Sequence, residues 1–488
     1  MYRRPSKKKE LIRRLLIYSL MTVCVIIGVV ALIFVILGYR YDSQNGKVEQ
    51  GGFLQYDSVP NGATVSVDGG VLSGKTPTKN SVLTGTHTFS ISKSGYETWN
   101  KTMDIKAGTL TWLDYARLVP KNRPQVPVET YTNLSSSLAT LNGKRIIVEQ
   151  DASQPVFNLV DVSSDTPSQS ILTLPTASYT DAGVTGVTHS FRIDQWDSGG
   201  RYVLIQHTYG NKNEWLVLDT DDVTATKNVT ALLDVSFTSA RFSGTNGTTL
   251  FVLDGSDIRK LDLSAATISR ALVSNVTSFG IYDNTIITYV GTDGTDTAKR
   301  VVGLYRDGDN APHVLRTTTS SPDLPLNIAT SRYFNNDYVA ISEGSKVDVL
   351  YGNYPTSSAD DGKSLTEYGS FDLAANVTNL GFSPKGYYVL AQNGANFAGY
   401  DIEHKTTGVS SVAATSSTVR PLHWLDQANL WSDADGTLTM REFDGANSLT
   451  LGSVVYGQDV LLPKDGHYLY SFGRTATGYQ LQRIKMIL

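Results

Sequence analysis

Cysteine is almost absent from the 488 residues, with Cys24 the only one. It lies inside an apolar run, so no disulfide can staple the rest of the chain, and any domain there must rest on a packed core. Histidine is sparse too. Seven are scattered at 87, 189, 207, 313, 404, 423 and 467, none in the paired spacing of a zinc site. Catalytic signatures are missing: there is no G-x-S-x-G, no H-E-x-x-H, no P-loop and no G-x-G-x-x-G opening a helix. No long amphipathic helix is readable after residue 40. Positive charge is also short. The net charge is −4, and the first fourteen residues hold seven basic residues and one acid, which leaves −10 for the remainder. An acidic remainder argues against a nucleic-acid partner.

Only one long hydrophobic run is present. Leu15 to Gly38, LLIYSLMTVCVIIGVVALIFVILG, has no charged residue. As a helix it would be about 36 Å long, enough to cross a ~30 Å hydrocarbon core. Arg3, Arg4, Lys7, Lys8, Lys9, Arg13 and Arg14 precede it. The positive-inside bias then places a basic tail, residues 1–14, in the cytoplasm and the chain beyond residue 40 outside. The run exceeds the ~7–15 residues of a signal-peptide core and lacks a small-residue cleavage site, which favours an uncleaved single-pass anchor in the bilayer.

Residues 39–51 are polar and read as a short tether. Residues 52–120 alternate in short segments: Ala63-Thr-Val65-Ser-Val67 before Asp68-Gly69-Gly70, then His87-Thr-Phe89-Ser-Ile91, with Gly95-Tyr96 ending it. Such alternation with turn residues predicts a small β-sandwich. The residues Val59-Pro60-Asn61-Gly62-Ala63, Val67-Asp68-Gly69, Gly74-Lys75-Thr76-Pro77, Gly85-x-His87-x-Phe89 and Lys93-x-Gly95-Tyr96-x-x-Trp99 resemble a PEGA domain, with Asn61 in place of the glutamate of the name motif. The resemblance implies a β-sandwich of a surface-exposed prokaryotic protein and no catalysis. His87 shares a strand face with Phe89 and Ile91, and reads as a packed, hydrogen-bonded histidine.

Residues 121–128, KNRPQVPV, read as a linker. Residues 129–488 then repeat an apolar residue, a polar turn and a β-rich run. The repeats start at Leu141, Trp196, Phe242, Tyr282, Phe334, Phe382, Trp424 and Leu462, about 46 residues apart on average. Several continue into a strand ending in acid, at Asp219, Asp262 and Asp401. This predicts a β-propeller of eight blades, or seven if the weak repeats at Tyr282 and Trp424 do not count. It lacks the G-H and W-D pairs of WD repeats and the double glycine of kelch repeats, so it resembles propellers in general and no one family. The last blade ends one strand short, and Val126 to Tyr131 would complete it.

Asp433-x-Asp435-Gly436 and Asp293-Gly294-Thr295-Asp296 read as turns, because neither continues to a bidentate glutamate. The pairs Asp360-Asp361 and Asp221-Asp222 read as solvated loop charges. No residue is assigned a catalytic, cofactor-binding or metal role. The fold class is therefore mainly β: a transmembrane helix, a small sandwich and a propeller. The function expected is non-enzymatic, a membrane-anchored extracytoplasmic binding or structural protein of the cell envelope. Its polar stretches Thr292 to Arg300 and Asn353 to Thr366 are expected to meet another envelope protein or a surface polymer. The alternative is an envelope hydrolase or lyase working in the propeller channel.

Overall fold

The computed structural model describes residues 7–36, 39–42, 46–319, 321–356, 364–415 and 418–488. It divides into two compact units, Met1–Lys121 and Asn122–Leu488.

The first unit begins with a helix, Lys7–Ile36. It starts eight residues before the apolar run because Lys, Glu, Leu and Arg are strong helix formers, and Glu10 and Arg14 pair across one turn at 3.6 Å. Glu10–Phe34 has a mean hydropathy of 2.7 and none of it is buried, so the helix is long and apolar enough to cross a membrane. Two parts of the tether expected at 39–51 are regular. Tyr39–Asp42 pairs antiparallel with Lys47–Gln50, and Gly46 supplies the positive φ that the turn needs.

The sandwich has two sheets. In one, Gly52–Val59 lies between Thr78–Val82, antiparallel, and Leu110–Arg117, parallel. In the other the order is Gly70–Lys75, Thr64–Val67, Gly85–Ser92, Trp99–Ile105. Alternate residues point inward, and Leu54, Tyr56, Val65, Phe89, Ile91 and Leu113 are fully buried in one core. Each large side chain there is worth about 1.5–3 kcal/mol of burial. Asp68 and Gly69 both have positive φ, as the hairpin turn requires. His87 is packed and hydrogen-bonded, with Nδ1 2.6 Å from Asp68 Oδ2 and Nε2 2.9 Å from the Leu83 carbonyl.

The second unit is a β-propeller built from eight sheets. Seven have four antiparallel strands each, spanning residues 136–173, 189–228, 239–268, 276–318, 326–372, 379–411 and 423–453. The repeats at Tyr282 and Trp424 each contribute a sheet. The eighth sheet contains Tyr468–Arg474 and Tyr479–Lys485, with Val126–Tyr131 as its outer strand. The linker is thus shorter than residues 121–128, because Val126 already pairs with Arg483. Leu461 adds one bridge on the inner edge, to Tyr470.

Neighbouring sheets bury apolar side chains between them. Phe157 of the first sheet shares a cluster with Trp196 of the second, Trp215 of the second with Phe242 of the third, and Val349 of the fifth with Val389 of the sixth. The eighth and first meet through Phe472 and Val148, which closes the ring. The turn at Ser383-Pro384-Lys385-Gly386 closes through the Gly386 N–H to the Ser383 carbonyl, 2.8 Å. Gly386 has φ +78°, and a Cβ there would lie 2.6 Å from Ser331 Oγ. The acids ending third strands cap the next turn. Asp262 Oδ1 accepts from the N–H groups of Ser264 and Ala265, and Asp219 holds Arg201 at 2.6 Å.

Candidate functional site

Two polar clusters are built into the ring where the sequence offered no motif. The first is in the second sheet. Tyr202–Tyr209 and Lys212–Asp219 form a tight hairpin, and its register puts His207 opposite Glu214. Their side chains are sealed from solvent and bonded, Nδ1 to Oε1 at 2.8 Å. Glu214 also accepts from the Thr180 N–H at 2.8 Å, Thr180 Oγ1 at 2.6 Å and Asn228 Nδ2 at 2.8 Å. Burial alone would push this carboxyl up. The donors outweigh it and hold the pKa at about 2. An ionised Glu214 fixes the proton on His207 Nδ1, and His207 Nε2 lies 2.9 Å from His189 Nδ1. His207 stacks on Phe191 at 4.4 Å and on His189 at 5.2 Å. The arrangement orients an imidazole chain and ties Thr180, in a connecting loop, and Asn228, a helix N-cap, to the sheet.

The second cluster lies where the seventh, eighth and first sheets meet. Asp433 Oδ2 accepts from Arg420 Nη1 at 2.9 Å and from the Gly457 N–H at 2.8 Å. Arg420 Nη2 is 3.4 Å from His423 Nε2. A guanidinium can only donate, so His423 Nε2 accepts and the ring is neutral. Burial lowers the pKa of His423 and raises that of Asp459. Asp459 Oδ2 accepts from the Ala139 N–H at 2.8 Å, on the inner strand of the first sheet. An acid and an imidazole both driven toward their neutral forms is a setting suited to proton exchange.

The inner strands carry other polar side chains. Asp194 bridges Arg192 at 3.0 Å and Arg241 at 3.7 Å, joining the second and third sheets. A cavity of about 200 Å³ opens beside Ser278, Gly280, Asn327, Thr378 and Asn379.

The stretches singled out in the sequence fall elsewhere. Asp435 Oδ2 accepts from the N–H and Oγ1 of Thr415, and Asp293 Oδ1 from Thr295 and Asp296, so these carboxylates organise turns. Among the described residues no group of three or more His, Cys, Asp or Glu is placed to hold a metal. Asp221 and Asp222 are not free loop charges. Asp221 pairs with Arg145 at 2.9 Å, and Asp222 caps the turn at Thr224. Asp360-Asp361 lies outside the described residues. The stretch 292–300 joins the second and third strands of its sheet, and 353–366 joins the third and fourth. Residues 357–363 of the second stretch lie outside the described residues. The His207–Glu214 pair was legible in principle: both flank the Gly210-Asn211 turn symmetrically. The second cluster was not, because Asp459 and Ala139 are 320 residues apart.

Residues 52–122 match the family profile of the PEGA domain. No curated protein sequence matches the chain. Among solved structures the chain is similar to an oligogalacturonate lyase in complex with manganese, at 11% identity over 72% of this chain and 98% of that one, TM-score 0.39. It is also similar to Kluyveromyces lactis Hsv2, at 10% identity over 73% and 100%, TM-score 0.41. Porphyromonas gingivalis dipeptidyl peptidase 4 shows 12% identity over 71% and 57%, TM-score 0.46. Likeness this distant carries no activity over to this chain.

Proposed function

We propose that the protein is a single-pass, membrane-anchored binding and structural protein of a prokaryotic cell envelope. Its N-terminus lies in the cytoplasm, and its sandwich and propeller are presented outside to another envelope protein or a surface polymer. One observation carries the anchoring: Leu15–Phe34 holds no charged residue, and among the described residues nothing covers it. A bilayer removes that surface from water. The basic residues before it set the orientation, and the PEGA match supports a surface location. Protease added to intact cells lacking an outer membrane should remove everything after residue 40 and leave residues 1–14 on the membrane-bound fragment. Protection of the later residues, or loss of 1–14 by processing, overturns the reading.

A channel enzyme is the second reading, and the His423–Asp459 pair favours it. Its test is turnover of a panel of polysaccharides and peptides by the full chain and by His423→Gln. Turnover lost in the variant would support an enzyme; no turnover by either keeps the binding role.

A further inference from the structure

The inner strand of four sheets ends in a buried or half-buried aromatic residue followed by a small polar turn former. Trp196 precedes Asp197, Phe242 precedes Ser243, Tyr282 precedes Asp283 and Phe382 precedes Ser383. In the fifth sheet Tyr333 holds the buried position, and the turn position after it is Phe334. Tyr333 pairs with Asn336, so Phe334 and Asn335 alone make the turn. Phe334 has φ +50° at the first central position, where such turns take glycine. Its side chain is 79% exposed. A bulky residue in that backbone region is strained, and its apolar ring remains in water. Neither cost is explained by folding. A residue that breaks a local rule without structural gain marks a functional position.

The surroundings indicate what the ring is displayed for. Phe334 packs edge-on against Tyr333 at 4.6 Å, and Tyr333 edge-on against Tyr387 of the sixth sheet at 5.1 Å. The Tyr333 hydroxyl bonds Glu403 at 3.0 Å. Asn335 and Asn336 are exposed beside the ring, and their side chains make no hydrogen bond among the described residues. One apolar ring face and two free amides form a small mixed site. A protein interface needs about 800 Å² on each side, far more than this step offers. One sugar ring needs only a flat face to stack on and a few groups for its hydroxyls.

We propose that Phe334, with Asn335 and Asn336, forms a binding site for β-linked, gluco-configured polysaccharide. In such a sugar every ring C–H is axial, which gives the flat apolar face that an exposed phenyl ring accepts, while the equatorial hydroxyls meet the amides. This rests on the binding role proposed above and names its ligand class.

The test is isothermal titration of the detergent-solubilised full chain with cellohexaose and with chitohexaose. At least one should bind. Phe334→Asn should weaken that binding at least tenfold while leaving the melting temperature unchanged or higher, since asparagine tolerates positive φ. Phe334→Tyr should retain it. No binding of either hexaose to the natural chain, or equal binding by Phe334→Asn, overturns the site. Protease mapping on intact cells is independent of both results, so failure here leaves the anchored topology standing.

Discussion

The sandwich of residues 52–120 and the propeller of residues 122–488 are both β-rich, yet they distribute their stability differently. The sandwich gathers its buried side chains into one cluster between two sheets. Its central strand, Gly52–Val59, pairs with Leu110–Arg117 from the far end of the segment. Nothing in it is finished until both ends are present. The propeller divides its apolar contacts among several separate clusters, each between adjacent sheets. Most of its strand pairs are hairpins between neighbours in sequence. Only the outer strand of the eighth sheet breaks that pattern. One architecture fails as a whole when its centre is damaged. The other tolerates local damage but depends on a single closure.

The sharpest way to break this comparison is to remove residues 122–131. The eighth sheet then loses the strand paired with Tyr479–Lys485, and Tyr131 leaves the cluster that joins the last sheet to the first. Calorimetry of the full chain should show the propeller transition falling by about 4–6 °C, equivalent to roughly 3–5 kcal/mol, while the sandwich transition stays in place. An unchanged propeller transition would refute closure by this strand.

Next in size is Phe89→Ala, at the centre of the sandwich core. Truncating a fully buried phenylalanine costs about 3–5 kcal/mol. The sandwich should unfold as a unit at lower denaturant, with the propeller midpoint unaffected. A shift smaller than ~1 kcal/mol would mean that the core is not the single cluster described.

A smaller effect is expected for Glu214→Gln within the propeller. Its hydrogen bonds are charge-assisted, so the loss at pH 7 should be about 1.5–3 kcal/mol. The folded pKa of about 2 lies below the usual 4.5. The contribution is therefore complete above pH 4.5 and is lost as pH falls toward 2. Denaturation of the natural chain and the variant should converge over that window. A gap that persists at pH 2 would point to packing instead of charge.

The smallest effect belongs to Asp68→Asn in the sandwich. Asp68 is held below the usual carboxylate range by the Thr88 N–H and by His87, but it is half exposed. The cost should stay under about 1 kcal/mol and shrink as pH falls through the lowered value. Asparagine keeps the positive φ of the turn, so the measurement isolates the charge.

How much was legible in the sequence follows the same division. The sandwich could be read because its turn residues, Asn61-Gly62, Asp68-Gly69 and Gly95, are fixed by backbone geometry and therefore written locally. The propeller could be read as a repeat because each hairpin carries its own turn chemistry, as at Ser383 to Gly386. Closure by Val126–Tyr131 was foreseeable from a strand count. The hairpin at Tyr39–Gln50 was missed because its polar residues read as a tether. Phe334 was read as one more core residue. A slip of one position in the alignment hides the difference, since Tyr333 is the buried member and Phe334 the exposed one. The cluster of Arg420, His423, Asp433 and Asp459 depends on three sheets meeting, and no local pattern records that.

The outer strand of the eighth sheet also sets a clock. Val126–Tyr131 is made before any other strand of the propeller, yet its partner, Tyr479–Lys485, appears about 350 residues later. At roughly 5–20 residues per second of synthesis, the early strand waits about 20–70 s with its backbone unpaired. Throughout that interval the growing chain presents an open edge, which a second nascent copy could occupy in place of the chain's own end. Two neighbouring copies exchanging that strand would each close around the other. Slower synthesis of the final residues lengthens the period in which that exchange is open.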